Sequence, residues 1–412
     1  MNPASCLLGL LLLGANPDAE WTDFRGPTGQ GHSAAVGMPV TWSATQNVAW
    51  KQEIPGSGWS SPVVSKGRVY LTAAVPVSAE SKNLSLRALC LDVATGKPQW
   101  DVEVFLQDGE KAPKIHGKNS HASPTPIVSG DRVFVHFGHQ GTAALATDGK
   151  ILWKNSELAY APVHGNGGTP ALVDGALVFS ADGATEPAVI ALEQDTGKLR
   201  WKTPREAEAP KKFSFSTPLV IEVNGRHEII SPGSNSVDAL DPKTGKRLWQ
   251  VKYTGYSVIP RPVYAHGLLF IGTGYDSPTV MAIRPGGSGD VTETHVAWTI
   301  KKGAPHTPSL LAVGDLLYMV SDGGVASCLE ALTGKEVWQQ RIGGNYSASP
   351  LYNDGKIYFQ AEDGETTIVK AGPKYELVGK NSLGERTLAS YAVTGRALLI
   401  RTDKHLFRIE QP

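Results

Sequence analysis

Beyond its first twenty residues, the chain alternates short apolar runs with turn residues. The runs are four to six residues long and rich in Val, Ile, Leu, Tyr and Phe, as half-buried strands require. Between them stand "KG", "GD", "DG" and "NDG", residues that suit hairpin turns with positive φ. No apolar stripe of helical period and useful length follows the N-terminus. Two phrases recur in fixed order. The first is a residue-Pro step, a strand and a turn, as in "SSPVVSKGRVYLT", "GTPALVDGALVFS" and "ASPLYNDGKIYFQ"; an eighth copy, "ASYAVTGRALLIR", lacks the proline. The second is "CLDVATGKPQW", "ALEQDTGKLRW", "ALDPKTGKRLW" and "CLEALTGKEVW". Trp100, Trp153, Trp201, Trp249, Trp298 and Trp338 end such phrases at spacings of 53, 48, 48, 49 and 40 residues. Four short antiparallel strands repeated at this period predict the blades of a β-propeller.

Eight copies predict eight blades, and strand counting predicts how the ring closes. The last copy reaches "HLFRIEQP" one strand short, and "NVAWKQEI" (residues 47–54) has the pattern of the missing strand. The predicted fold is therefore an all-β, eight-bladed propeller of four-stranded antiparallel blades, closed by an N-terminal strand that removes an open sheet edge. Trp50 then becomes the seventh docking tryptophan, and blade 7, with "YELV" at the equivalent place, has none. The organisation expected is 1–19 signal peptide, 20–46 extension and 47–412 propeller. On this reading, deletion of 20–54 opens the ring and deletion of 20–40 is much milder. The Thr-Gly phrase is architectural: Asp241 caps the turn, Gly245 tolerates its positive φ, and Trp249 wedges between blades.

Composition narrows the function. Lys plus Arg and Asp plus Glu both number 39, so the formal net charge is zero and nothing points to nucleic acid. "CLLGLLLLGA" has signal-peptide length, too short to span a bilayer, with cleavage expected after Ala19. An exported monomer, periplasmic or secreted and not membrane-spanning, is expected. Cys90 and Cys328 fill the slot of Ala191 and Ala239 in sister blades, too far apart to bridge, and are read as buried thiols.

The Thr-Gly-Lys…Trp phrases resemble the docking motif of the pyrroloquinoline quinone (PQQ) repeat family, over nearly the whole chain after the signal. "WTDFRGPTGQGH" is similar to secreted propellers of that family in planctomycete-type bacteria. The resemblance implies an eight-bladed propeller and leaves open two activities found in the family. One is the non-catalytic scaffold lipoprotein of outer-membrane barrel assembly; the other is a dehydrogenase that uses PQQ with calcium. Against the second, no two cysteines are adjacent, no calcium set is recognisable and no C-x-x-C-H is present.

Aromatics or histidines precede the proline phrases: Trp59, His121, Phe215, Tyr256, His306, Tyr346 and Tyr391, with His164 and Asn166 in the third blade. They are expected to ring one mouth of the channel and stack on a flat ligand or sugar; the competing reading is a packed wall. His116, His121 and His139 match no compact metal-ligand spacing, so no metal site is expected. Arg25-Gly26-Pro27 opens a segment expected to cover one face. The sequence thus points to an exported, non-catalytic propeller binding a protein partner or a small ligand, with a quinoprotein dehydrogenase and a carbohydrate-binding module as alternatives.

Overall fold

The structure is a computed structural model describing residues 20–158, 160–206 and 208–411; the expected signal peptide lies outside the described residues. Eight antiparallel sheets follow one another along the chain. In blade 1 the strands are Val63–Ser65, Arg68–Pro76, Leu84–Asp92 and Pro98–Gln107, from the innermost outward. The innermost strands of neighbouring blades touch, so a ring forms around a central channel. Blade 8 takes three strands from the C-terminus, and its fourth, Val48–Glu53, pairs antiparallel with His405–Ile409. Closure is as strand counting predicts.

Five of the eight first hairpins turn on two consecutive positive-φ residues, as at Lys66 and Gly67 (φ 49° and 74°), and the other three on a single positive-φ glycine, Gly130, Gly314 or Gly395. That backbone matches the right-handed twist of the strands it joins. In every fourth strand the pairing slips by one residue beside the docking position. Opposite six of the seven tryptophans stands a small residue, as where Cys90 faces Trp100, Ala191 faces Trp201 and Cys328 faces Trp338; Trp50 in the closing blade faces Arg408. This explains the two cysteines, which are free and buried.

The docking geometry is shared by six of the seven tryptophans. Each indole N–H donates to a carbonyl in the outer turn of the next blade: Trp50 to Val93, Trp100 to Thr147, Trp153 to Gln194, Trp201 to Pro242, Trp298 to Ala331 and Trp338 to Gly372, at 2.9–3.1 Å. The turn glycine lies flat against the ring. A Cβ on Gly334 would stand 2.7 Å from Trp298, and one on Gly96 2.7 Å from Trp50. Trp249 is the exception. Its N–H donates to Glu228 of its own blade at 2.8 Å, because blade 5 has no Thr-Gly-Lys turn. There Gly289–Asp290 adds a short parallel strand beside Trp249 and Gln250 instead.

Two expectations need correction. In blade 7 the docking slot, opposite Ile368, is Gly379 and not the "YELV" segment, and the Val40 carbonyl lies 3.2 Å from where a Cβ would stand. The extension thus takes the place of the missing tryptophan, with Trp42 fastened to Asn381. Nor is the extension dispensable. Trp21, Arg25, Ala35, Met38 and Trp42 are all buried, and His32–Ser33 pairs with Tyr352–Asn353 as a fifth strand of blade 7. Residues 20–40 bring Trp21, Arg25, Ala35 and Met38 into the interior, so their deletion is expected to cost stability.

Candidate functional site: the channel mouth and its girdle

The innermost strands begin on the face opposite the extension, and the residue two positions before each of them converges on the channel. At seven of the eight positions that residue is Ser or Thr. Its oxygen accepts an amide N–H from an adjacent blade. Ser61 N–H donates to Thr125, Thr125 to Thr169, and Thr169 to Thr217 (2.9–3.0 Å). On the far side Arg261 donates to Ser309, Ser309 to Ser349, Ser349 to Ser390, and Ser390 back to Ser61 (2.9–3.1 Å). This girdle ties the blades together around the axis. It is interrupted once, where Arg261 occupies the eighth position and sends its guanidinium down to the Phe24 carbonyl (2.6 Å) and to Asp23 (3.3 Å). Phe24 lines the channel, so the extension floors it.

Above the girdle opens a cavity of about 650 Å³, within the ordinary range for small-ligand sites. One wall is a run of rings in contact. His164 meets Phe213 at 5.3 Å, Phe213 meets Tyr256 at 5.5 Å, and Tyr275 bridges Tyr256 and His306 at 6.1 and 4.9 Å. Across the mouth, Trp59 lies under the Arg386 guanidinium, 5.4 Å from its ring centre. Rim charges are paired: Lys118 with Glu362 at 2.7 Å, and Asp322 with the His306 amide (2.7 Å), the Thr307 hydroxyl (2.7 Å) and the His306 ring (3.3 Å). His164 is held at φ 64° by the His116 amide and the Asn119 side chain, both donating to its carbonyl. Such strain in a non-glycine residue clusters at working sites.

Of the residues singled out in the sequence, Trp59, His164, Phe215, Tyr256 and His306 line this cavity. Four do not. Tyr346 is fully buried between blades 6 and 7, and Tyr391 is buried with its hydroxyl bonded to Thr366. Asn166 is buried against Tyr160, Phe137 and His139, and His121 turns to Gln107. Tyr346 and Tyr391 hold the expected register in the phrase, but their side chains pack between blades, where an apolar body is better buried. Burial lowers the His121 pKa, and takes His139 to about 4 and His136 to about 3. His116 is separate, at the mouth beside His164. Sequence reasoning missed Phe213, Tyr275 and Asp322, which sit outside the phrase. It also missed the girdle, whose signal was a Ser or Thr two positions before seven of the eight innermost strands, five of them just before a proline.

A floored channel with an aromatic mouth, carried on eight like blades, defines a ligand-accessible repeat propeller. The chain belongs to the PQQ-repeat family whose model is described as "Outer membrane protein assembly factor BamB"; residues 29–163, 140–297 and 233–372 match it. Solved structures share the fold at low identity. BamB from Moraxella catarrhalis is 12% identical with a TM-score of 0.58, over 88% of this chain and 99% of its own. A europium-containing methanol dehydrogenase is 11% identical with a TM-score of 0.68, over 93% and 89%. The computationally designed Ika8 protein is 13% identical with a TM-score of 0.58, over 87% and 99%. A search of curated protein sequences finds no match.

The calcium that the family resemblance implies beside a quinone finds one carboxylate in the cavity lining, Asp322. Among the described residues no three His, Cys, Asp or Glu side chains converge. Asp322, the carboxylate lining the cavity, already accepts an amide and a hydroxyl proton. Calcium asks for six to eight oxygens, several of them carboxylate. Also among the described residues, no helix is long and apolar enough to cross a membrane.

Proposed function

We propose that this chain is an exported, monomeric propeller without a reaction centre of its own, which holds a saccharide in the channel mouth. The observation that carries the reading is the cavity of about 650 Å³, walled by Phe213, Phe215, Tyr256, Tyr275 and His306 and faced by Trp59. Aromatic faces stack on the C–H faces of sugar rings, and Asn119, Ser123, Thr307 and Ser347 offer hydrogen bonds to hydroxyls on the same surface. The blind floor at Phe24 supports a resident ligand over a conduit. The test is a saccharide panel read by melting temperature and by tryptophan fluorescence, with Trp59→Ala as control. Saturable shifts that vanish in the variant are expected, and a silent panel overturns the reading. A second reading, docking of a protein on the rim, is favoured by the family's description as an assembly factor. Loss of partner capture when the mouth is filled with saccharide would place both on one surface. Incubation with PQQ and calcium, followed by dye-linked oxidation of alcohols and sugars, should give no turnover; turnover would replace the proposal.

A further inference from the structure

The girdle is more than a fastening. Each of its seven Ser and Thr oxygens is committed as an acceptor to a neighbouring blade's amide. Each hydroxyl keeps its proton, and among the described residues none of the seven donates it to a protein acceptor. All seven line the cavity. Donors gathered around one axis with no acceptor of their own complement a group that only accepts. A carboxylate is such a group; a neutral hydroxyl or amide, which must also place protons, is a poorer match.

Charge around the girdle points the same way. Arg261 occupies its eighth position. Arg25 donates to the carbonyl of Leu310, next to Ser309, while its Nε and Nη1 find no acceptor among the described residues. Arg401 donates to Ser60, next to Ser61, and to the Thr72 carbonyl. Arg25 and Arg401 are each 2% exposed, and among the described residues neither pairs with a carboxylate. Burial lowers the pKa of both to about 9, still charged at neutral pH. Asp23 is the one carboxylate paired within this set. None of the three arginines lines the cavity, so they favour an anion at the girdle only through their field across the wall, while the hydroxyl donors supply the direct contacts.

We propose that the girdle receives the carboxylate of an acidic sugar whose ring stacks between Trp59 and the aromatic wall. This rests on the saccharide reading of the mouth and names its class, a uronic acid. The test uses the full chain and three probes in calorimetric titration: D-glucuronate, its neutral isostere D-glucuronamide, and D-glucose. Alongside, crystals soaked in sodium bromide are examined by anomalous diffraction. Glucuronate should bind at least tenfold more tightly than glucuronamide, and bromide should appear against the girdle hydroxyls. Thr125→Val and Thr217→Val should each weaken glucuronate roughly tenfold, as loss of a hydrogen bond to a charged group does, while Thr→Ser at either site retains it. Equal binding of acid and amide, or bromide absent from the girdle, overturns the proposal whether or not the valine variants fold. Bromide at the girdle with no saccharide bound leaves the anion site standing and sinks the saccharide reading. Neutral sugars bound with no bromide does the reverse.

Discussion

Gly334 tests whether the docking glycines exist for backbone conformation or for contact. It has φ 71°, and a Cβ there would lie 2.7 Å from the Trp298 ring. Gly355, in the first hairpin of blade 7, has φ 73° and nothing within 4 Å. Alanine at Gly355 costs only the left-handed conformation, about 1–2 kcal/mol. Alanine at Gly334 carries the same cost plus overpacking against the indole, about 1–3 kcal/mol more. In a Trp298→Ala background the extra term should vanish, so Gly334→Ala falls back to about 1–2 kcal/mol. Equilibrium urea denaturation followed by far-ultraviolet circular dichroism measures all five proteins. Equal costs at Gly334 and Gly355 in the parent chain would refute the contact reasoning, as would an undiminished cost in the alanine background.

Deleting residues 20–54 removes the closing strand of blade 8, and the product should be insoluble or strongly destabilised; deleting 20–40 should also fail to match the parent in thermal melting, because Trp21, Ala35 and Met38 leave the core. Trp59→Ala should change stability by about 1 kcal/mol or less while abolishing mouth binding, whereas Tyr346→Ala should cost about 3–5 kcal/mol in denaturant titration, as a fully buried aromatic does. His136, buried and bonded to Thr142, has its pKa held down to about 3 by burial and then by His139. The unfolded chain protonates this residue below about pH 6.5 and the folded chain only near 3, so stability is complete above 6.5 and is lost as pH falls. The slope from this one residue is up to about 1.4 kcal/mol per pH unit, and His136→Asn should flatten it in melts taken between pH 4 and 7.

Blade number, strand order, the docking tryptophans and ring closure could all be read from the sequence, because each rests on local pattern repeated at a fixed period. A turn needs its glycine, a strand its alternation, and eight copies of one phrase leave a single closed arrangement. Even the small residue opposite six of the seven tryptophans, Ala or Cys, is a local fact of strand register. The placement of Tyr346 and Tyr391 was not local. One position in the phrase can face the channel or the gap between blades, and the size of the neighbouring blade's side chains decides which. The same holds for the extension: nothing in residues 20–42 announces that Val40 and Trp42 occupy blade 7's empty docking slot, since that slot opens only when Gly379 is folded against them. The girdle lies between these cases. Its Ser and Thr residues were visible in every phrase but one, yet only the ring turns seven isolated hydroxyls into a collar, because the partner of each is an amide forty or more residues away or, at the closure, more than three hundred.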